Sequence, residues 1–357
     1  MPIITSVRLV VTIFIFCVSM PPLALAGDAE NTTLTAIEGV LVGHAQSKER
    51  PTGCTVVLFP GGAVSGVDVR GGAPGTREIA LLNPVATVQK VHAVVMSGGS
   101  AFGLDAATGV VRFLEEKQIG FPTSAGRVPI VTAAVLFDLP VGGKPHIRPD
   151  AAMGYIAARE ASSTEVTQGS VGAGAGATVG KLLGGQRAMK GGIGSWAIRL
   201  EDGTIVAALV AVNTVGNIVD PKTGKPIAGC LTEDRRSIVD VGEVIRHRRG
   251  RTSFSGENTT LGLVVTNATL NQSQATKVAQ MAQDGLARAI TPAHTPVDGD
   301  TVYAAATGSH ESQADLLTLG ALAAEAMSEA ILRAVQNAEG VAGILSVKEL
   351  NKGRTNQ

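Results

Sequence analysis

Short β-branched runs alternate along the chain with longer runs rich in Ala and Leu. The first kind predicts strands over 55–59, 92–96, 130–137, 205–212 and 261–266. The second recurs at helical spacing and predicts helices over 101–117, 151–160, 274–290 and 313–337. On the last of these, Leu316, Leu319, Ala323, Met327, Ala330 and Ala334 fall on one stripe. Strands interleaved with helices define a mixed α/β chain in which helices cover sheets. No fixed-period repeat of the solenoid kind interrupts the pattern.

Two segments break it. Across residues 1–26 the only charge is Arg8, followed by an apolar run, Pro21-Pro22 and then Ala24-Leu25-Ala26. The run is too short to span a bilayer and ends in small residues that suit signal cleavage. The expectation is a secretory signal peptide over 1–26, an uncleaved anchor being the alternative. The mature chain would start at Gly27 and be periplasmic or secreted, away from ATP and NAD. The second segment, 232–257, is dense in charge, with Arg246, His247, Arg248, Arg249 and Arg251, and it closes on small polar residues. It predicts an exposed, mobile connection. It feeds into the apolar strand that follows Asn258-Thr259-Thr260.

Composition narrows the function. Thirty basic side chains balance thirty acidic ones among 357 residues, which argues against nucleic acid or anionic membrane as the partner. Apolar residues make up 45% and charged residues 17%, ample for a large core and too apolar for disorder. Glycine is over-represented at 44 residues, and aromatics at 3% supply no stacking platform for single strands. Of three cysteines, Cys17 leaves with the signal; Cys54 and Cys230 would be free to pair in an oxidising compartment if the fold brought them together.

Several motifs fail on spacing. The Gly/Ala run 172–180 ends in Lys181, but Leu182 follows where a phosphate loop needs Ser or Thr. Ser97-Gly98-Gly99-Ser100-Ala101-Phe102-Gly103 lacks the nucleophile-elbow pattern; it reads as a tight strand-to-helix turn whose amides suit an anion or a carbonyl oxygen. Asp298-Gly299-Asp300 is too sparse for a calcium loop, and read alone is a turn. The histidines form no ligand pair, so no metal and no cofactor are expected. Asn258-Thr259-Thr260 is the sharpest feature. The triplet also occurs at Asn31-Thr32-Thr33, but only the later copy joins an exposed loop to a buried strand. If the bond before Thr259 breaks, a threonine with a free α-amine stands at a strand tip, and that amine, with a pKa of about 7.7–8.0, is fit to act as its base.

Taken in order, these pieces resemble one family. They are Thr52-Gly53-Cys54-Thr55-Val56, Asp68-Val69-Arg70-Gly71-Gly72, the Ser97–Leu104 turn, the Gly/Ala run to Lys181, Val212-Asn213-Thr214-Val215-Gly216, Asn258-Thr259-Thr260 and the stretch from His294 to Thr301. The set is similar to the DmpA-like L-aminopeptidase/D-esterases, β-peptidyl aminopeptidases and nylon-oligomer hydrolases. The resemblance implies a four-layer αββα sandwich, shared with the ornithine acetyltransferases. It implies self-cleavage between Asn258 and Thr259 into an α-chain, 27–258, and a β-chain, 259–357, that form one domain and assemble as a homo-oligomer of αβ units, commonly a tetramer.

By the same resemblance Thr259 is the nucleophile, Asn213 donates to the oxyanion, Lys181 acts on the oxyanion and the amine, and Asp298 with Asp300 orients the amine. Phe137 stands where several relatives carry a tyrosine and, with Ser100, is assigned to substrate binding. The implied activity is an exported aminopeptidase on short peptides or small amides. Hydrolysis of ω-amino-acid oligomers and acyl transfer are the rivals within the enzyme class, and a periplasmic binding protein is the non-enzyme rival.

Overall fold

The computed structural model describes residues 31–247 and 258–355. The expected signal segment 1–26 and the end of the charged connection, 248–257, lie outside the described residues.

The strands that matter for the site are β1 (Leu41–Gln46), β2 (Gly53–Val69), β3 (Lys90–Ser97), β4 (Val131–Val135), β5 (Gly192–Arg199), β6 (Ile205–Asn213), β7 (Thr259–Thr266) and β8 (Thr301–Ala306). The helices are α1 (Ala106–Glu116), α2 (Ala151–Arg159), α3 (Val241–His247), α4 (Gln272–Ala289), α5 (Leu316–Asn337) and α6 (Val347–Thr355). Hydrogen bonding links the strands in the order β5-β6-β7-β8-β2-β3-β4, with β1 also on β2 and the short strand Thr76–Arg77 beyond β4. The 17-residue β2 makes this possible. It pairs with β3 from Cys54↔Ser97 to Leu58↔Ala93 and, past a register shift, again at Ala63↔Val91 and Val64↔Lys90, while its second half pairs with β8 from Val64↔Ala306 to Val69↔Thr301. One strand thus serves two layers.

Side-chain alternation along these strands builds three cores, because successive residues point to opposite faces. Ala207, Leu209 and Ala211 of β6, with Leu263 and Val265 of β7, pack against Val57, Phe59, Val94 and Met96 of the other layer. Their alternates Val206, Ala208, Val210 and Val264 face α4 and α5 through Val278, Leu286, Met327 and Ile331. On the far side Val56, Leu58, Ala93 and Val95 face α1 and α2 through Val110, Leu114, Ala157 and Ala158. Helix, sheet, sheet, helix is the four-layer αββα sandwich.

Some of the excess glycine has a direct reason here. A Cβ on Gly109 of α1 would lie 1.8 Å from the Ala151 carbonyl oxygen, and one on Gly154 of α2 would lie 1.9 Å from that of Ala106. These two helices touch backbone to backbone.

Element bounds differ from expectation where tertiary contacts intervene. The helix expected over 101–117 is a 3-10 turn, Ser100–Asp105, before α1. Gly103 packs against the Gly98 carbonyl there, where a Cβ would come within 1.8 Å. The α4 helix starts earlier than expected because Asn271 and Gln274 form a reciprocal capping box. In α5 the first turn begins at Leu316, where Asp315 accepts from the Thr318 N–H at 2.7 Å. The connection 232–257 is not loop throughout, since α3 occupies part of it with Val241 buried against Leu182 and Val215. Cys54 and Cys230 are both buried free thiols and do not pair.

Candidate active site

Sheet register assembles the site. Strand β7 opens at Thr259, and its antiparallel neighbour β6 ends at Asn213, directly opposite. Its parallel neighbour β8 begins at Thr301, opposite Leu261, so the residues just before β8 lie beside the residues just before β7. Asn258 accordingly bridges to Asp298. Thr259, Asn213, Asp298 and Asp300 converge at one sheet end because three strands start or stop there.

The acidic turn is held from behind by the residues after β2. Ala73 N–H donates to Asp298 O at 2.8 Å and Arg70 N–H to Asp300 O at 3.0 Å. The Asp68–Gly72 motif therefore backs the acidic pair. Asp300 Oδ1 accepts from the Thr260 N–H at 2.8 Å. Asp300 Oδ2 accepts from the His294 N–H at 3.0 Å and lies 3.1 Å from His294 Nδ1. The Thr295 hydroxyl donates to Asp298, and the Val215 N–H approaches the other Asp298 oxygen at 3.4 Å. Both carboxylates are buried. Burial first, and the Asp300 charge second, raise the Asp298 pKa from 3.8 to about 6, against a smaller opposing pull from Thr295, Val215 and Lys181.

The peptide between Asn258 and Thr259 is gripped at its carbonyl oxygen. The Thr259 hydroxyl donates to the carbonyl oxygen of Asn258. The same oxygen accepts the Gly299 N–H at 2.8 Å. Gly299 has no room for a side chain, since a Cβ would lie 2.6 Å from the Thr259 hydroxyl oxygen and 2.7 Å from the Ala73 carbonyl.

Asn213 is oriented by its neighbours. Its Oδ1 accepts from Lys181 Nζ at 2.9 Å and from the Thr178 N–H at 3.0 Å. Its Nδ2 must then point the other way, and donates to the Phe137 carbonyl at 3.0 Å. Lys181 Nζ also reaches the Asn213 carbonyl at 3.3 Å. The Gly/Ala run delivers Lys181 by docking its backbone on the bend that follows Asn213, with Gly180 N–H to Gly216 O at 2.9 Å and Lys181 N–H to Val215 O at 3.0 Å.

A cleft of about 380 Å³ reaches Asn258 and is lined by Phe137, Thr178, Lys181, Gln186 and Arg235, among others. Phe137 lies on its wall; Ser100 is not among the described lining residues. The Ser97–Gly103 turn does bind an anion through a backbone amide, but an internal one: Asp138 Oδ1 accepts the Gly99 N–H at 2.9 Å. Asp138 also forms a fully buried ion pair with Arg50 at 2.9 Å and accepts from Thr52 at 2.7 Å. The Thr52 motif and the serine turn thus clamp the residue next to Phe137. Removing one partner of such a buried pair costs about 3–5 kcal/mol.

Four contributors escape a reading of the sequence. The Gly299 N–H is a backbone donor and carries no side-chain signal. Thr295, three residues before Asp298, has the spacing of a hydroxyl-capped turn, which marks it in retrospect. His294 gains its contact only from the turn, where its φ is +55°. Arg235 is one of many arginines in the charged connection.

The Thr259 hydroxyl on the carbonyl of the preceding peptide, at one sheet end of a four-layer sandwich, is an arrangement suited to amide chemistry. The comparisons agree. A family model described as Peptidase family S58 matches residues 32–348, and the chain belongs to that family. An uncharacterized aminopeptidase of Mycobacterium leprae is 43% identical over 345 residues, covering 88% of this chain and 93% of that one. A 6-aminohexanoate-oligomer endohydrolase of Kocuria sp. is 33% identical over 313 residues, covering 84% of each. Among solved structures, an L-aminopeptidase D-Ala-esterase/amidase of Ochrobactrum anthropi, described as a new variant of the Ntn hydrolase fold, superposes with TM-score 0.67 at 18% identity, covering 91% of this chain and 93% of that one. A Burkholderia sp. β-aminopeptidase gives TM-score 0.65 at 24% identity, covering 91% and 94%. The protein is a hydrolase of the aminopeptidase and amidohydrolase kind.

Proposed function

We propose that this protein is a self-processing threonine amidohydrolase that cleaves short linear amides, peptides included. The observation that carries the reading is the Asn258 carbonyl, approached by the Thr259 hydroxyl and held by the Gly299 N–H. In the first event Thr259 Oγ bonds to the Asn258 carbonyl carbon. Negative charge collects on the oxygen facing the Gly299 N–H, the C–N bond breaks, and the hydroxyl proton passes to the departing nitrogen. The resulting ester is opened by water. An α-carboxylate then ends the segment at Asn258, and a free amine begins the one at Thr259.

In the mature site that amine takes the hydroxyl proton as Thr259 Oγ attacks the substrate amide. The acyl-enzyme is hydrolysed by the reverse proton path. Asn213 suits the oxyanion role because its Oδ1 is engaged by Lys181 and Thr178, which leaves an Nδ2 hydrogen beyond the one given to Phe137. Asp300 fixes the strand start through the Thr260 N–H. Asp298, with a pKa of about 6, changes charge close to neutrality and can stabilise the protonated amine.

The reading extends to export through removal of residues 1–26, and to assembly of αβ units with one another. Intact mass of purified protein tests the core of it: two polypeptides, 27–258 and 259–357, are expected, and fully active single-chain protein would refute self-processing.

A further inference from the structure

The cleft holds a cation that the chemistry above does not use. Arg235 lines it together with Lys181, Phe137 and Asn258. Arg235 sits in a turn closed by the Thr232 N–H on Ser237 O at 2.8 Å and by its own N–H on Thr232 O at 2.9 Å, and it adopts a φ of +58°. Its side chain is anchored at one nitrogen, where Nη2 donates to Gly343 O at 2.7 Å. Its Nε is buried and has no hydrogen-bond partner among the described residues. A buried N–H without an acceptor is unfavourable, and an oxygen supplied by a ligand removes that cost. Lys181, the other lining cation, is engaged with Asn213. Among the described residues that line this cleft none is acidic; Asp234 and Glu349 border Arg235 only in a second, neighbouring pocket.

Position says which part of a substrate meets this cation. Asn258 precedes the scissile bond and presents its carbonyl to Thr259. A substrate acyl group presents its carbonyl to the same hydroxyl, so it takes the space beside Asn258, which is this cleft.

Resting on the amidohydrolase reading, we propose that Arg235 is a specificity residue that binds a carboxylate on the acyl part of the substrate. The preferred class is short amides whose acyl group carries a carboxylate a few bonds from the scissile carbonyl, such as ω-carboxyacyl amides or amides of acidic amino acids. A guanidinium matches a carboxylate with parallel N–H donors, which a neutral amide cannot equal.

Two readouts test this on processed protein. In calorimetric titration, glutarate, the acid released from a glutaryl amide, binds at least about tenfold tighter than neutral glutaramide, a difference of 1.4 kcal/mol. Arg235→Gln abolishes that preference and Arg235→Lys retains part of it. In turnover, glutaryl p-nitroanilide exceeds pentanoyl p-nitroanilide about tenfold in kcat/KM, mainly through KM, and Arg235→Gln brings the ratio close to one. Equal binding of glutarate and glutaramide, a preference that survives Arg235→Gln, or faster cleavage of cationic β-alanyl p-nitroanilide than of the glutaryl compound overturns the proposal. If no anilide is turned over, the amidohydrolase reading fails while the titration still decides the role of Arg235.

Discussion

The backbone N–H of Gly299 donates at 2.8 Å to the carbonyl oxygen of Asn258, the oxygen that gains charge if Thr259 attacks. Asn213 makes no hydrogen bond to that oxygen; its Nδ2 is on Phe137. The uncut chain and the mature enzyme would then use different oxyanion donors, and the two jobs of the site are separable by mutation.

Gly299→Ala places a methyl against the Thr259 hydroxyl and the Ala73 carbonyl, at 2.6 and 2.7 Å before relaxation. A displacement of that order slows self-cleavage by about 100-fold. Asn213→Ala leaves self-cleavage intact while turnover of the matured enzyme drops about 100- to 1000-fold. Gel densitometry of processing over time, followed by p-nitroanilide kinetics on the processed fraction, reads both. Equal processing rates in the two variants would show that Gly299 has no special part.

Thr259→Ala removes the hydroxyl on which both events depend and gives an uncut, inactive chain. Thr259→Ser keeps the hydroxyl and retains both activities. Intact-mass spectrometry detects the cut, and a Thr259→Ala sample that matures normally would assign the nucleophile elsewhere.

Asp298 carries a pH signature. Its pKa lies at about 6 in the folded chain against an ordinary 3.8. The folded state holds this proton more tightly, so the stability it contributes is fully present below about pH 3.8 and lost as pH rises through about 6. In the uncut Thr259→Ala background, which lacks the free amine, Asp298→Asn is therefore stabilising by on the order of 1–3 kcal/mol at about pH 8 and near neutral at about pH 4. Urea unfolding at both values measures it; a pH-independent difference would mean that Asp298 titrates normally. In the processed enzyme, the same substitution removes the acidic limb of the kcat/KM profile near pH 6.

Thiol counting checks the cysteines and the leader together. Burial pushes the Cys54 thiol up to about 12 and raises that of Cys230, so neither reacts readily in the native protein. Denatured without reductant, mature protein exposes two free thiols if residues 1–26 have been removed, and three if Cys17 is retained. Finding none in the denatured protein would point to a disulfide.

The sequence by itself carried the local chemistry. Period-2 and helical patterns located the main strands and helices, because burying one face imposes that periodicity on any single element. The step from a charged connection to an apolar strand singled out Thr259, and the ordered motifs pointed to the family and its four layers. Tertiary structure alone decided what meets what. Asn213 faces Thr259 through antiparallel register, and Asp298 lies beside Asn258 through parallel register; neither pairing is written in sequence distance. The anion of the serine turn proved to be Asp138, a buried internal charge rather than a substrate group. The Gly299 donor was invisible because every residue but proline carries the same N–H, and only folding aims one at a particular oxygen. Arg235 was one cation among many until a turn set it in the cleft with its Nε unpaired among the described residues.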